Sequence, residues 1–294
     1  MRIASLLTAL LCLGAATGAR ADPKFVPTAP EARSFQIGTL TLTALHDEQI
    51  VVPNDGKTFA LGVSTREVGD VLRAAGAPAD RITLSVNALL VRTGKRLILI
   101  DTGLGPKYHG QALASLEAAG VSPGDVKDVL ITHPHPDHIG GLLDAEGRLA
   151  FPNATIHMAS AAWSWMQQKG APAMAKVIAS RVQTFEPGAG IAPGIVSVSL
   201  PGHTPGHVGY EITSGRSRLM YIGDIAHSSI VSLARPDWSI VFDGDHVAAR
   251  ETRRKTLSAL AKSGEWVFSP HFPFPGAGHI AAAGQGFVWE PGEP

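Results

Sequence analysis

Apolar positions along the chain follow two spacings, which predict strands and helices in alternation. The stretch "REVGDVLRAAG" and residues 111–119 have helical spacing, and these helices are expected to stop at Gly76 and Gly120. Apolar runs bounded by turn residues predict strands. These are "FQIGTLTLTALHDE" (a strand or hairpin), "LSVNALLV" and "RLILID" around the turn "RTGK", "DVLI", "ATIHMA", "GIVSVSL", "GYEITS", "RLMYIGD" and "EWVFSP". Hairpins separated by helices favour a mixed sheet layered against helices.

A basic stretch at 250–264, "RETRRKTLSALAKSG", has a helical pattern of its own. Leu257, Leu260 and Ala261 are spaced to form one buried face. We therefore expect the arginines of this stretch to lie on the solvated face of the helix.

The N-terminus has the three-part pattern of a secretory signal. Arg2 precedes an apolar run through Leu13, and small residues follow up to Ala21, after which cleavage is expected. The run is too short to anchor the mature protein in a membrane. We expect a signal peptide at 1–21, an extended and loosely held lead-in at 22–34, one domain at 35–294, and a periplasmic or secreted location.

Charge and cysteine content exclude several classes of partner and site. The 25 basic and 25 acidic residues balance, so no global field recruits nucleic acid, an anionic membrane or acidic substrates. Cys12, the only cysteine, lies in the predicted signal. The mature chain would therefore have no disulfide and no thiolate, and any metal ligands must be nitrogen or oxygen atoms.

The segment "ITHPHPDHIGG" at 131–141 concentrates three histidines and an aspartate after a predicted strand. Its prolines favour extended backbone, in which His133 and His135 face the same way, and "HIGGLL" can begin a helix. Taken alone, such a segment could be a surface loop that binds metal adventitiously. Four further candidates, however, also follow predicted strands, and strand ends commonly carry functional sites. These are Asp101, His203, Asp224 and His271.

The ordered set resembles the signature of metallo-β-lactamase-fold hydrolases, H-x-H-x-D-H followed by a separate His, Asp and His. Its members are His133, His135, Asp137, His138, His203, Asp224 and His271. The segments "VNALLV", "LILIDTG", "FPNAT", "PGHTPGH" and "HFPFPGAGH" resemble the branch that contains methyl parathion hydrolase and related lactone hydrolases.

The resemblance implies an α+β fold, the αβ/βα metallo-β-lactamase sandwich, with two mixed β-sheets face to face and helices on the outer faces. It implies two metal ions per chain, with zinc expected, although other divalent metals suit the same ligands. His133, His135 and His203 would hold one ion, and Asp137, His138 and His271 the other, with Asp224 bridging them. Asp101 would orient a ligand histidine, and His207 would support the ligands without binding metal.

The implied reaction is hydrolysis, in which a metal-bridging hydroxide attacks a small neutral ester and Asp137 or Asp224 accepts the proton. Lactones are the expected substrates, and aryl phosphotriesters such as methyl parathion a second class. A β-lactamase-type amide hydrolase and a non-catalytic secreted zinc-binding protein are the alternatives. A homodimer is possible, as in this branch, and the other histidines are assigned to packing or surface. An apolar pocket wall is predicted from five aromatic residues: Tyr108, Trp163, Trp165, Phe272 and Phe274.

Overall fold

The computed structural model describes residues 23–26 and 28–294, and in this part of the chain the strands form two sheets. The predicted signal peptide lies outside the described residues. The first sheet has the order β1-β3-β4-β5-β6-β7-β8, and β2 also pairs with β3. Its strands are β1 (Lys24–Val26), β2 (Glu31–Ile37), β3 (Leu40–Pro53), β4 (Arg81–Thr93), β5 (Arg96–Ile100), β6 (Asp128–Leu130), β7 (Thr155–Ala159) and β8 (Val182–Phe185).

The second sheet has seven strands in the order β15-β14-β13-β12-β11-β10-β9. They are β9 (Gly190–Ala192), β10 (Ile195–Ser199), β11 (Val208–Ser214), β12 (Ser217–Tyr221), β13 (Trp266–Phe268), β14 (Ala277–Ala283) and β15 (Gly286–Pro291). Neighbouring strands are antiparallel except for β12 and β13, which are parallel. In the first sheet, β5 to β8 are parallel. Both sheets are therefore mixed.

Seven α-helices accompany the sheets in the described residues. They are α1 (Thr65–Ala74), α2 (Ala112–Ala118), α3 (Pro136–Ile139), α4 (Ser160–Trp165), α5 (Pro172–Ile178), α6 (Val231–Ala234) and α7 (His246–Ser263). Across the described residues, none of the helices combines the length and apolarity needed to cross a membrane.

The core lies between the two sheets and continues beneath the helices. Along β12, Leu219 and Tyr221 join the cluster between the sheets, whereas Met220 joins a second cluster with Leu257 and Leu260 of α7. This division follows from the alternation of side chains along a strand. The predicted sandwich of two mixed sheets with outer helices is confirmed.

The lead-in is held more firmly than the sequence suggested. Residues 24–26 form β1, which pairs with residues 49–51 of β3, and β2 already begins at Glu31. The prediction of a loosely held segment was wrong because the long strand β3 offers an edge that both short strands can pair with.

Arg253 is a second correction. The predicted helix exists as α7, and Leu257 and Leu260 are buried, but the Arg253 side chain is also buried, at 1% exposure. Its guanidinium donates hydrogen bonds to the carbonyl oxygens of Ile225, Pro236 and Trp238 and pairs with Asp243. An arginine with this many acceptors can be buried, which helical periodicity alone does not reveal.

Candidate metal centre

Three histidines and one aspartate meet where strands of the two sheets end. His135 Nδ1 lies 3.0 Å from His133 Nε2 and 2.9 Å from His203 Nε2. Asp224 Oδ2 lies 3.6 Å from His133 Nε2 and 3.4 Å from His203 Nε2. The loop after β6 supplies two of these imidazoles, and the turns after β10 and β12 supply the other two ligands.

A second set lies beside the first and shares its aspartate. Asp137 Oδ2 lies 3.7 Å from His138 Nε2 and 3.5 Å from His271 Nε2. Asp224 Oδ1 lies 3.2 Å from each of the same two nitrogens. The structure therefore brings together all seven predicted ligands, with Asp224 between the two sets.

These spacings fit two metal ions. Ligand atoms around a tetrahedral zinc ion at about 2.0–2.1 Å lie roughly 3.3 Å from one another, close to the distances above. Two of the ligand atoms, His138 Nε2 and Asp224 Oδ1, are buried and have no hydrogen-bond partner among the described residues. Buried polar atoms normally have partners, and a shared cation would supply one for both.

Local backbone explains how the H-x-H-x-D-H segment presents its ligands. His135 is extended, with φ −79° and ψ 152°, and caps the short helix α3. The helix begins at Pro136, two residues earlier than "HIGGLL" suggested, because proline is tolerated at the first helical position. Asp137 and His138 therefore project from a helical turn, while His133 and His135 project from extended chain.

Asp101 holds one ligand histidine through the ring nitrogen that faces away from the centre. Its Oδ2 accepts hydrogen bonds from His138 Nδ1 at 2.8 Å and from the Tyr221 hydroxyl at 3.0 Å. Its Oδ1 accepts from the backbone N–H of Thr132 at 2.9 Å. Such a carboxylate fixes the tautomer of a ligand imidazole and aims its other nitrogen at the metal. This is the place predicted for Asp101.

Asp243 positions His203 in the same way, although the sequence did not identify it as a site residue. Its Oδ1 lies 3.0 Å from His203 Nδ1, and its Oδ2 accepts from Arg253 at 3.0 Å. Burial alone would raise the pKa of Asp243, but the partners His203 and Arg253 lower it to about 2. The carboxylate is therefore ionised throughout the neutral range.

His207 lies outside both ligand sets. Its Nδ1 donates to the carbonyl oxygen of Leu200 at 2.8 Å, and its Nε2 accepts from the backbone N–H of Asp224 at 3.0 Å. Both ring nitrogens are therefore occupied, and the side chain supports the backbone of Asp224. Burial lowers the pKa of His207 to about 3, in keeping with this neutral tautomer.

The pKa shifts of the centre indicate a strongly negative environment around some of its histidines. Burial alone would lower the pKa of His138, but the carboxylates of Asp224, Asp137 and Asp101 hold it well above its usual value. Burial alone would raise the pKa of Asp224, yet the imidazoles, with His138 foremost, hold it well below. Negative surroundings that stabilise a protonated histidine also stabilise a metal cation bound to the same nitrogen. The metal and the proton therefore compete for that nitrogen.

His227 is another site residue that the sequence did not reveal, because it lies in no motif. It is buried, its Nε2 lies 3.1 Å from Asp224 Oδ2, and its ring is parallel to that of His271 at 5.2 Å. The sequence assigned this histidine to packing or surface, and the structure places it, buried, against the shared carboxylate. Its position three residues after Asp224 was the only available signal.

A cleft opens beside the ligands. Asp137, Asp224, His135, His227 and His271 form its base. Its walls are largely apolar and come from distant parts of the chain. The wall residues are Phe25, Ile50, Val52, Leu84, Leu104, Pro136 and Phe242.

None of the five aromatic residues predicted for the wall lines this cleft. Phe272 is fully buried in the cluster beneath α7, with its ring 4.9 Å from that of Trp289. Phe274 and Trp163 pack against the core between the sheets. The prediction failed because adjacent side chains point in different directions, so proximity to His271 in sequence does not place a ring in the cleft.

The other two, Tyr108 and Trp165, are partly buried. The Tyr108 ring lies beneath the Lys107 ammonium at 5.5 Å and is absent from the cleft wall. The Trp165 ring lies 5.9 Å from that of His135 in an edge-on arrangement. Trp165 is therefore the one predicted aromatic whose ring packs against a ligand.

Comparisons with known sequences agree with this centre. A family model described as "Metallo-beta-lactamase superfamily" matches residues 81–271. The probable metallo-hydrolase Rv2300c of Mycobacterium tuberculosis (strain ATCC 25618 / H37Rv) is 29% identical over 177 residues, which are 49% of this chain and 57% of that protein. Metallo-beta-lactamase domain-containing protein 1 of Homo sapiens is 38% identical over 91 residues, which are 26% of this chain and 34% of that protein. The chain thus spans between a third and three-fifths of the length of these curated relatives.

Two solved structures share nearly the whole fold. AidC, described as a dizinc quorum-quenching lactonase, superposes with a TM-score of 0.83 and 30% identity, covering 90% of this chain and 98% of that chain. The hydrolase AbOPH superposes with a TM-score of 0.81 and 31% identity, covering 91% and 99%. These matches agree with the prediction of a metal-dependent hydrolase. By its family match and its fold, the chain belongs to the metallo-beta-lactamase superfamily, as its sequence predicted.

Proposed function

We propose that this chain is a hydrolase that holds two zinc ions and acts on small neutral esters, chiefly lactones. The observation that carries the proposal is the pair of ligand sets joined by the carboxylate of Asp224 at the base of an apolar cleft. The similarity to AidC, itself described as a dizinc lactonase, supports both the metal and the substrate class.

The residues that would hold the metals are the seven predicted ligands. His133, His135 and His203 form one set, Asp137, His138 and His271 the other, and Asp224 belongs to both. Two zinc ions held by these residues would supply a water of lowered pKa and would polarise the oxygen of the scissile bond.

Asp137 is the carboxylate best placed to accept a proton during hydrolysis. Its side chain is 20% exposed at the base of the cleft, whereas that of Asp224 is 2% exposed. Burial alone would raise its pKa, but His138 and His271 hold the pKa of Asp137 below its usual value. The carboxylate is therefore ionised and free to take up a proton at neutral pH, while Asp224 serves to hold both metals.

The cleft walls favour a neutral substrate. Seven of the lining residues are apolar, so an anionic group that lies against these walls, away from the metals, would lose its hydration without gaining an ion-pair partner. Lactones meet this requirement, and aryl phosphotriesters meet it as a second class because they carry no net charge.

A hydrolysis screen tests the proposal. Protein with two zinc ions bound is assayed against lactones, aryl esters, aryl phosphotriesters and β-lactams in one buffer. We expect the highest kcat/KM for a lactone. A carboxylate-bearing β-lactam as the best substrate would contradict the neutral-ester proposal, and two bound metals with no turnover would favour the zinc-binding alternative.

A periplasmic or secreted location is part of the proposal and rests on the signal-like first 21 residues. N-terminal sequencing of extracytoplasmic protein is expected to begin at Asp22. Active cytoplasmic protein that retains Met1 would contradict it.

A further inference from the structure

Phe25 is a large, partly buried aromatic residue that lines the cleft beside the ligands. It sits in the middle of β1, a strand of only three residues, and lines the cleft with Ile50 and Leu84. Of the described hydrophobic clusters, none includes Phe25. Phe25 therefore forms part of the cleft wall without belonging to any of these clusters.

Strand register explains how so short a strand reaches the metal centre. Phe25 pairs directly with Ile50 of β3, and Ile50 pairs directly with Leu84 of β4. Residues that pair directly across neighbouring strands share one face of the sheet, so these three side chains form a continuous row.

Leu84, at the inner end of this row, is next in sequence to a residue that contacts the ligand His271. Ser85 follows Leu84, and its carbonyl oxygen accepts a hydrogen bond from His271 Nδ1 at 3.0 Å. The row therefore runs from His271 outward to the edge of the sheet, and Phe25 is its outermost member. Phe242, from the loop before α7, also lines the cleft.

We propose that β1 is a specificity element, in which Phe25 extends the apolar wall so that the cleft accepts an unbranched alkyl substituent of the substrate. The proposal rests on the proposed function for the nature of the reacting group. It assigns to β1 (Lys24–Val26) a role in substrate choice. A methylene buried along this row gains hydrophobic free energy, which corresponds to up to about fourfold in affinity per methylene.

The test measures binding, so that it does not depend on turnover. Calorimetry is used to measure the Kd of straight-chain alkanoates of increasing length for full-length mature protein with two zinc ions, because a carboxylate can bind the metals without reacting. For wild type, Kd should fall twofold to fourfold with each added methylene. In Phe25→Ala the dependence on chain length should be at most half as steep, and Phe25→Leu should restore part of it.

Val26→Ala is the matched control. Val26 belongs to the same strand, but it points to the opposite face and is 37% exposed. It should keep the wild-type dependence on chain length, and all variants should keep two zinc ions. An unchanged dependence in Phe25→Ala, an equal loss in Val26→Ala, or no alkanoate binding to wild type would each overturn the proposal. If the wild-type Kd depends steeply on chain length but no lactone is hydrolysed, the role of β1 is supported and the proposed function is contradicted.

Discussion

Asp224 Oδ1 lies 3.2 Å from His138 Nε2, and within the described residues neither atom has a hydrogen-bond partner. Because Asp224 Oδ2 faces His133 and His203 at the same time, its carboxylate is the one group common to both ligand sets. In the proposed two-zinc centre, removing it would leave two cations without the carboxylate that both share. We therefore predict that Asp224→Ala lowers the metal content from two ions per chain to at most one and lowers turnover at least a hundredfold.

Elemental analysis and steady-state kinetics measure the two effects. Asp144→Ala is a suitable control, since Asp144 lies outside the centre in an exposed turn with Arg148. This variant should keep both metals and wild-type turnover. Two tightly bound ions in Asp224→Ala would show that the ligands are misassigned.

The second prediction concerns Arg253, which links the ligand support to the helix layer. Its guanidinium pairs with Asp243, and Asp243 in turn holds His203. Arg253→Ala leaves Asp243 Oδ2 and three carbonyl oxygens without their arginine donor. Breaking a buried pair in this way costs about 3–5 kcal/mol of unfolding free energy. Urea unfolding of the two proteins measures the loss.

The neighbouring arginine provides the comparison. Arg254 pairs with Asp237, but both side chains are exposed, at 46% and 65%. Exposed pairs contribute about 1 kcal/mol or less, so Arg254→Ala should be nearly neutral. Equal losses of unfolding free energy in the two variants would contradict the argument that burial makes the Arg253 pair the stronger contributor to stability.

The metal ligands and the longer strands and helices could be predicted from the sequence because their signals are local. The H-x-H-x-D-H segment and the residues after strands β10, β12 and β13 combine residue type with position, and both are visible in the sequence. Strands β4, β5 and β12 and helices α1 and α2 have enough apolar residues to show their period. These features are local, so a single sequence reveals them.

The residues that were missed depend on packing directions that sequence does not contain. Asp243 precedes a glycine and resembles an ordinary turn aspartate, and only the tertiary fold brings it to His203. Phe25 and Phe242 are far from the ligands in sequence, whereas Phe272 is adjacent to His271 and nevertheless points into the core. A three-residue strand such as β1 is too short to show periodicity at all.

The third prediction concerns His227, which contacts the shared carboxylate and stacks on His271. His227→Ala removes a partner of Asp224 without removing any of the seven ligands. Loss of such a supporting contact typically lowers metal affinity or activity by about 10–100-fold. We expect a loss of this size in turnover, measured on zinc-saturated protein. His157→Ala is the comparison, because His157 pairs with Asp128 away from the cleft, and a loss as large as that of His227→Ala would contradict the assignment.

The last prediction concerns Asp47, a fully buried carboxylate that fixes the loop between β5 and α2. It accepts hydrogen bonds from the backbone N–H groups of Leu104 and Ala112, each at 2.7 Å. Burial raises the pKa of Asp47 to about 7 despite these two donors. Between about pH 4 and pH 7 the folded protein therefore holds a proton that the unfolded chain has released.

The sign of the pH dependence follows from that proton. Because the folded state binds more protons in this window, the unfolding free energy decreases as the pH rises through it. A shift of about three pKa units corresponds to a decrease on the order of 4 kcal/mol. The stabilisation is fully present only below about pH 4 and is lost as the pH rises through 7.

Asp47→Asn cannot ionise and should lack this pH-dependent component of the unfolding free energy, whatever constant offset the amide introduces. Urea unfolding of both metal-free proteins from pH 5 to pH 8 should show the wild type losing stability relative to the variant as the pH rises. Parallel curves across that range would mean that the buried carboxylate keeps its charge and that its two backbone donors, rather than its burial, control its ionisation.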